Sequence, residues 1–335
     1  MRKTIPTPIL PYLLLSLLLL PLFFIGGPDQ YSSACYRYLW NFGHPIFFAE
    51  ANITLLHYAT YRSSSTTHNG KIFLSRWQQQ WAIALIFTLI LGLAIEYLQM
   101  GSARNASLAD LFRNFIGTAI ALSLTYRHKL LHQTPQRLMR GIQAFAILAI
   151  LQMLLMLIFI TQQEHQRLEY KQQQLPVLFN FNPTSDIESR LEVDDISGNA
   201  LFTHVNSPSH RDESALKIQL TRKLYSGIAL RNMPADWRAY SALALYFHNP
   251  ANTAITITLR IDDLKHSRNP EGYADRFNQQ HPIPPGNSHW VILLDDIAQA
   301  PTRRQLDLSD IRLIGLFSSR AESKQVLYLE RVELQ

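Results

Sequence analysis

The feature that most constrains this chain is a change of hydrophobic period near residue 170. Before it, apolar residues come in runs of sixteen to twenty; after it, they come in runs of five to nine, often with polar residues at alternate positions. A run of the first kind suits a helix crossing a hydrocarbon core about 30 Å thick. Runs of the second kind suit strands with one buried face. The 335 residues are enough for two domains.

Residues 9–25, 81–100, 111–126 and 142–161 read as spans. Residues 44–58 are apolar but carry Glu50, Asn52 and His57, which suits a helix whose polar groups face a bundle. About five spans are therefore expected. Residues 9–25 follow Arg2 and Lys3 and lack a small-x-small cleavage site, which favours a retained anchor over a signal peptide. The expected division is a transmembrane helical domain over 1–161, a Gln-rich helical stalk over 162–177, and an all-β sandwich or jelly roll over 178–335.

Charge follows the same division. Residues 1–177 carry 14 Lys and Arg against 6 Asp and Glu; residues 178–335 carry 17 against 19. The basic excess surrounds the apolar runs, which points to membrane topology and membrane lipids, and away from a nucleic-acid partner. With the N-terminus in the cytoplasm, inner loops hold nine basic residues and outer loops hold Arg37, Arg104 and Arg113. Five spans then place the C-terminal half outside. The single cysteine, Cys35, excludes an internal disulfide and a thiolate zinc cluster.

The outer half shows strand-like runs at 200–205, 215–220, 242–247, 254–261, 290–294, 311–317 and 326–334. Short strands over that length without disulfides suggest a sandwich or jelly roll able to bury its own core.

Chemistry concentrates where two apolar runs meet. Glu96 and Gln99 share a helix face at the end of one, and Asp110, Asn114 and Gly117 have helical spacing at the start of the next. Arg104 lies in the short connection, and His44 stands at the outer mouth of an earlier run. One reading is an outward-facing polar cleft in which Glu96 or Asp110 is an acid or base and Arg104 holds an anionic head group. The other is structural: Asp110 favours a helix N-terminus, Gly117 permits close packing, and Glu96 pairs with Arg104. These residues resemble the VanZ-like family of bacterial membrane proteins, which shows Glu-x-x-Gln, a nearby Arg, then Asp-x-x-x-Asn-x-x-Gly. The family's earlier Asp-Lys pair is replaced here by Trp40 and Asn41. The resemblance covers roughly residues 10–130 and implies a cell-envelope protein of the inner membrane with no settled reaction.

In the outer half, His266, Tyr273, Asp275, Arg276 and Asn278 cluster in the long connection before Pro285, a place where loops on a rigid sandwich often carry function. Aromatic faces and polar groups there suit a sugar. They also suit a self-braced loop, with Trp237, Tyr240, Phe277 and Trp290 in the core. The order of motifs over 180–335 resembles carbohydrate-binding-module-like jelly rolls with a galactose-binding-type fold. That resemblance implies a glycan ligand and, at Glu330, a structural calcium as the one candidate cofactor; no other cofactor or metal is expected.

No Walker loop, dinucleotide fingerprint, His-Glu-x-x-His or Gly-x-Ser-x-Gly is present. Two functions stay open: an envelope protein that binds or handles a glycan or exopolysaccharide, and a membrane enzyme acting on a lipid-linked saccharide or peptidoglycan precursor. Whether the chain is an enzyme is undecided by its sequence.

Overall fold

The computed structural model describes residues 10–25, 27–29, 31–63, 75–99, 107–127, 134–181, 191–192, 201–209, 213–222, 224–319 and 324–335. The chain divides into two compact units, Met1–His165 and Gln166–Gln335.

The first unit is helical. Its elements are α1 (Leu10–Leu19) with a 3-10 turn at Leu20–Phe23, α2 (Ala34–Trp40), α3 (Gly43–Ser63), α4 (Arg76–Gln99), α5 (Leu108–Arg127) and α6 (Gln136–Gln174). Only α4 and α6, among the described residues, are long and apolar enough to cross a membrane. This corrects the expected five spans, and the sequence supplies the reasons. The first apolar run breaks at Pro21 after a ten-residue helix. Helix α3 carries Glu50, Asn52 and His57, and α5 opens with Asp110, Arg113 and Asn114.

Helices α3 and α5 meet at Gly117. A Cβ there would stand 2.5 Å from the Pro45 carbonyl oxygen and 2.9 Å from the Ala49 nitrogen, so only glycine lets the two backbones touch. Deeper in, Asn52 Nδ2 donates to the Phe48 carbonyl (2.8 Å), Thr88 Oγ1 (2.9 Å) and Thr118 Oγ1 (3.3 Å). One buried amide thus ties α3, α4 and α5 together. Glu50 takes a hydrogen bond from the Ser16 hydroxyl of α1, and Glu164 caps α2 through the Ala34 and Cys35 amides. Helix α6 continues unbroken to Gln174, before Pro176.

The second unit is a sandwich of two antiparallel sheets. One has the order β3 (Leu201–Asn206), β4 (Ser214–Leu220), β11 (Gln325–Leu334), β6 (Ala242–Asn249), β9 (Gly286–Leu293), with β1 (Val177–Phe179) beside the end of β11. The other has the order β2 (Leu191–Glu192), β5 (Tyr225–Leu230), β10 (Ile311–Ser319), β7 (Ile255–Asp263), β8 (Phe277–Ile283). Short helices α7 (Leu264–Arg268) and α8 (Leu294–Gln299) follow β7 and β9.

The core lies between the sheets, with Leu216, Ile218, Leu245, Phe247, Leu329 and Val332 from one and Ile228, Leu230, Ile257, Leu259, Ile314 and Leu316 from the other. Trp237 is fully buried and donates Nε1–H to the Pro234 carbonyl at 3.0 Å. Trp290 and Phe277 are also core residues, and Tyr240, partly buried, packs against this core.

In β11 the alternation slips by one. Leu329 faces Phe247 of β6, and the next paired residue is Arg331, opposite Tyr246. Glu330 is the extra residue of a β-bulge.

Candidate functional site

The ends of three helices bring the polar residues of the first unit together. His44 lies in the first turn of α3, Glu96 in the last turn of α4, and Asp110 and Asn114 in the first two turns of α5. His44 and Glu96 are each 7% exposed and Asn114 1%. His44 Nδ1 lies 2.9 Å from Asn114 Oδ1, and its Nε2 lies 3.8 Å from Asp110 Oδ1. The Phe23 ring meets the imidazole edge-on at 4.9 Å and closes one side.

The two carboxylates are held differently. Asp110 forms an ion pair with Arg113, one turn along the same helix. Glu96 Oε2 accepts the Ser107 N–H at 2.8 Å, which satisfies an amide at the start of α5; Glu96 Oε1 is buried and has no hydrogen-bond partner among the described residues. His44, Glu96 and Asp110 each offer a ligand-type atom, all within 4.8 Å of one another.

Of the residues singled out from sequence, His44, Glu96, Asp110 and Asn114 converge. Gln99 is buried nearby and donates to the Phe23 carbonyl at 2.9 Å, where it holds the first helical segment in place. Arg104 lies outside the described residues. The cation that meets Asp110 is Arg113, legible in retrospect from its i,i+3 spacing. Gly92 was also overlooked: a Cβ there would come within 2.8 Å of Asn114 Nδ2, so glycine makes the room that the amide occupies.

In the sandwich, the loop residues are turned largely toward one another. His266 Nδ1 lies 3.0 Å from Asp275 Oδ2, and both residues are buried. Arg304 Nε donates to Asp275 Oδ1 at 2.6 Å, and the same guanidinium is paired with Asp263. Asp263 also accepts the His266 and Asp307 amides. Arg304's hydrogen bond holds the Asp275 carboxyl at about 2, well under its ordinary value. Burial works against ionisation of Asp263, yet the Arg304 and amide donors outweigh it and hold that group low as well. Tyr273 is exposed with the Arg276 guanidinium 5.7 Å above its ring, and Asn278 Nδ2 donates to the Tyr273 carbonyl. The connection is thus braced by its own polar groups together with Arg304. Glu330 accepts the Ser207 hydroxyl at 2.6 Å and the Ser209 amide at 3.2 Å.

A different set of residues lies on the outer face of the six-stranded sheet. Tyr246 stacks on His289 (centroids 6.0 Å apart), and His248 meets Tyr328 edge-on at 5.8 Å. Tyr246 donates its hydroxyl to Glu333 at 2.8 Å, which raises the phenol's pKa; Glu333 is also paired with Arg331. His248 Nδ1 lies 2.5 Å from Asn287 Oδ1. The signal was available in sequence: positions 246 and 248 flank the core residue Phe247 in β6, and positions 287 and 289 are the alternate, exposed positions of β9.

No family model matches the chain, and no curated protein matches it. Solved structures do. An exo-β-agarase shares 16% identity over 48% of this chain, with a TM-score of 0.36; the match spans only 25% of the agarase. A family 11 carbohydrate-binding module from Clostridium thermocellum, solved with a β-1,3-1,4-mixed-linked tetrasaccharide, shares 13% identity over 41% of this chain and 82% of its own, with a TM-score of 0.32. A second structure of a family 11 module, from the cellulase Lic26A-Cel5E of the same organism, shares 14% identity over 47% of this chain and 92% of its own, with a TM-score of 0.34.

Proposed function

We propose that this chain is a bacterial cell-envelope membrane protein whose helical unit holds a polar site at its helix ends and whose sandwich binds a glycan. The membrane reading is supported by α4 and α6, each long and apolar enough to span, and by the basic residues that flank the apolar runs. The VanZ-like pattern at Glu96, Gln99, Asp110, Asn114 and Gly117 agrees with it.

The observation that carries the glycan reading is the outer face of the six-stranded sheet. Tyr246, Tyr328, His248 and His289 give it flat apolar surfaces beside Asn287, Arg331 and Glu333. A sugar has apolar C–H faces and a rim of hydroxyls. Rings take the first, and amide, guanidinium and carboxylate groups take the second. Rigid strands fix these groups in advance, which lowers the ordering cost of binding.

The test uses the full chain in lipid nanodiscs, titrated calorimetrically with a panel of envelope and plant-type β-glucans and exopolysaccharide fragments. Binding that falls at least tenfold in a Tyr246→Ala, Tyr328→Ala double variant with unchanged melting temperature supports the reading. A folded protein that binds nothing in the panel removes it.

A second reading rests on Glu96. A buried carboxylate with one unpartnered oxygen, beside Asp110, suits an acid or base acting on a lipid-linked saccharide. Glu96→Gln would then abolish turnover and leave abundance intact.

A further inference from the structure

We infer that His44, Glu96 and Asp110 bind one divalent transition-metal ion, with zinc the best chemical fit. The inference rests on the polar site of the helical unit and not on glycan binding. Asn114 Oδ1 lies 2.9 Å from His44 Nδ1, a contact that the tautomer protonated at Nδ1 satisfies. In that tautomer Nε2, 3.8 Å from Asp110 Oδ1, offers its lone pair on the carboxylate side. Glu96 Oε1 is buried, in a residue 7% exposed, and has no donor among the described residues.

Three acceptors from three different helices therefore converge within 4.8 Å. Asp110 already accepts from Arg113, so the group left without a donor among the described residues is Glu96 Oε1, and burying it unpaired is unfavourable. A cation with affinity for one imidazole nitrogen and two carboxylate oxygens would satisfy Glu96 Oε1 and draw on the other two. That donor set suits zinc and its first-row neighbours; calcium prefers oxygen alone. Zinc bonds of about 2 Å put neighbouring ligand atoms roughly 3.3 Å apart, a closure that side-chain torsions can supply.

The surrounding contacts have the form that supports ligands. A metal-binding imidazole usually donates its other N–H to a carbonyl or carboxylate, and Asn114 Oδ1 receives it here. The Ser107 amide steadies Glu96 Oε2, and Arg113 steadies Asp110 and offsets the negative charge. Three protein ligands leave a further coordination position for water or an incoming ligand, the pattern of an open rather than a closed zinc site.

The experiment uses full-length protein in detergent, stripped with a chelator and dialysed against zinc chloride alone, with manganese and calcium chloride in parallel. Elemental analysis gives the stoichiometry. Cobalt(II) substitution gives a visible spectrum that reports the donor set. About one zinc per chain, preferred over calcium, is expected. Affinity should fall at least 100-fold in His44→Gln and in Glu96→Gln, and about tenfold in Asn114→Ala. The isosteric Glu96→Gln keeps the shape of the site, and circular dichroism of each variant verifies folding. A variant that does not fold is replaced by Asp110→Asn, with the same 100-fold loss expected. Absence of tight zinc binding, or stoichiometric binding that survives these substitutions (adventitious capture by the other histidines), overturns the inference. Glycan calorimetry on the same sample reads the sandwich separately, so the two readings fail independently.

Discussion

His44 Nδ1 and Asn114 Oδ1 stand 2.9 Å apart across the contact between α3 and α5, although seventy residues separate them in the chain. The contact favours the imidazole tautomer protonated at Nδ1, which leaves Nε2 to face the carboxylates. It depends on two glycines: Gly117, which lets the helices touch, and Gly92, which leaves room for the amide.

Asn114→Ala removes the acceptor and strands a buried donor. We expect a loss of about 1–3 kcal/mol, measured by thermal unfolding of the detergent-solubilised chain.

Gly117→Ala should be worse than its size suggests. The new methyl meets backbone at 2.5 Å, which side-chain rotation cannot relieve, so the helices must part. A cost of about 1–3 kcal/mol and a lower yield of folded protein are expected. Gly141→Ala in α6 is the control. Nothing lies within 4 Å of the added methyl, and helix propensity there gains up to about 1 kcal/mol.

Arg304→Met leaves Asp263 and Asp275 buried without their cation, at a cost of about 3–5 kcal/mol. The acid limb of stability should change too. Asp275 titrates at about 2 in the folded chain against an ordinary 3.8, so its contribution is complete above the higher value and is lost as pH falls through the lower. In Arg304→Met the loss should begin at higher pH. Denaturant unfolding from pH 5 to pH 2, followed by tryptophan fluorescence, reads both effects.

Trp237→Ala should cost about 3–5 kcal/mol, because the ring is fully enclosed and its indole N–H is spent on the Pro234 carbonyl. Calorimetry should show the sandwich transition moving.

Much of this architecture was legible before any coordinate. Helices α4 and α6 stand out because a long run of leucine and isoleucine has few other solutions. The alternating strands β4, β6, β7 and β11 were equally plain. Strand β5 was not, because Ser226 to Leu230 are all buried and show no alternation. Strand β8 was hidden for the opposite reason: it is an edge, so Asn278, Gln279, Gln280 and even Pro282 are tolerated there. At the helical site, Glu96, Asp110 and Asn114 could be picked out by type and spacing. Their mutual geometry could not, since it depends on how α3 crosses α5. In the sandwich, Arg304 lies 41 positions from Asp263, too far for local pattern to reveal that it closes that cluster.

The bulge at Glu330 has a consequence for how β11 can change over generations. Counted from Leu327, the strand keeps to an in-out rhythm as far as Leu329 and resumes it at Arg331, one beat late. Glu330 is the beat inserted between them. Excising that single codon would leave Tyr328, Arg331 and Glu333 on the outer face and Leu329, Val332 and Leu334 in the core, and only Ser207 and Ser209 would lose an acceptor. Adding a residue on either side would turn half the strand inside out. The strand is therefore tolerant of shortening and intolerant of lengthening at the same spot.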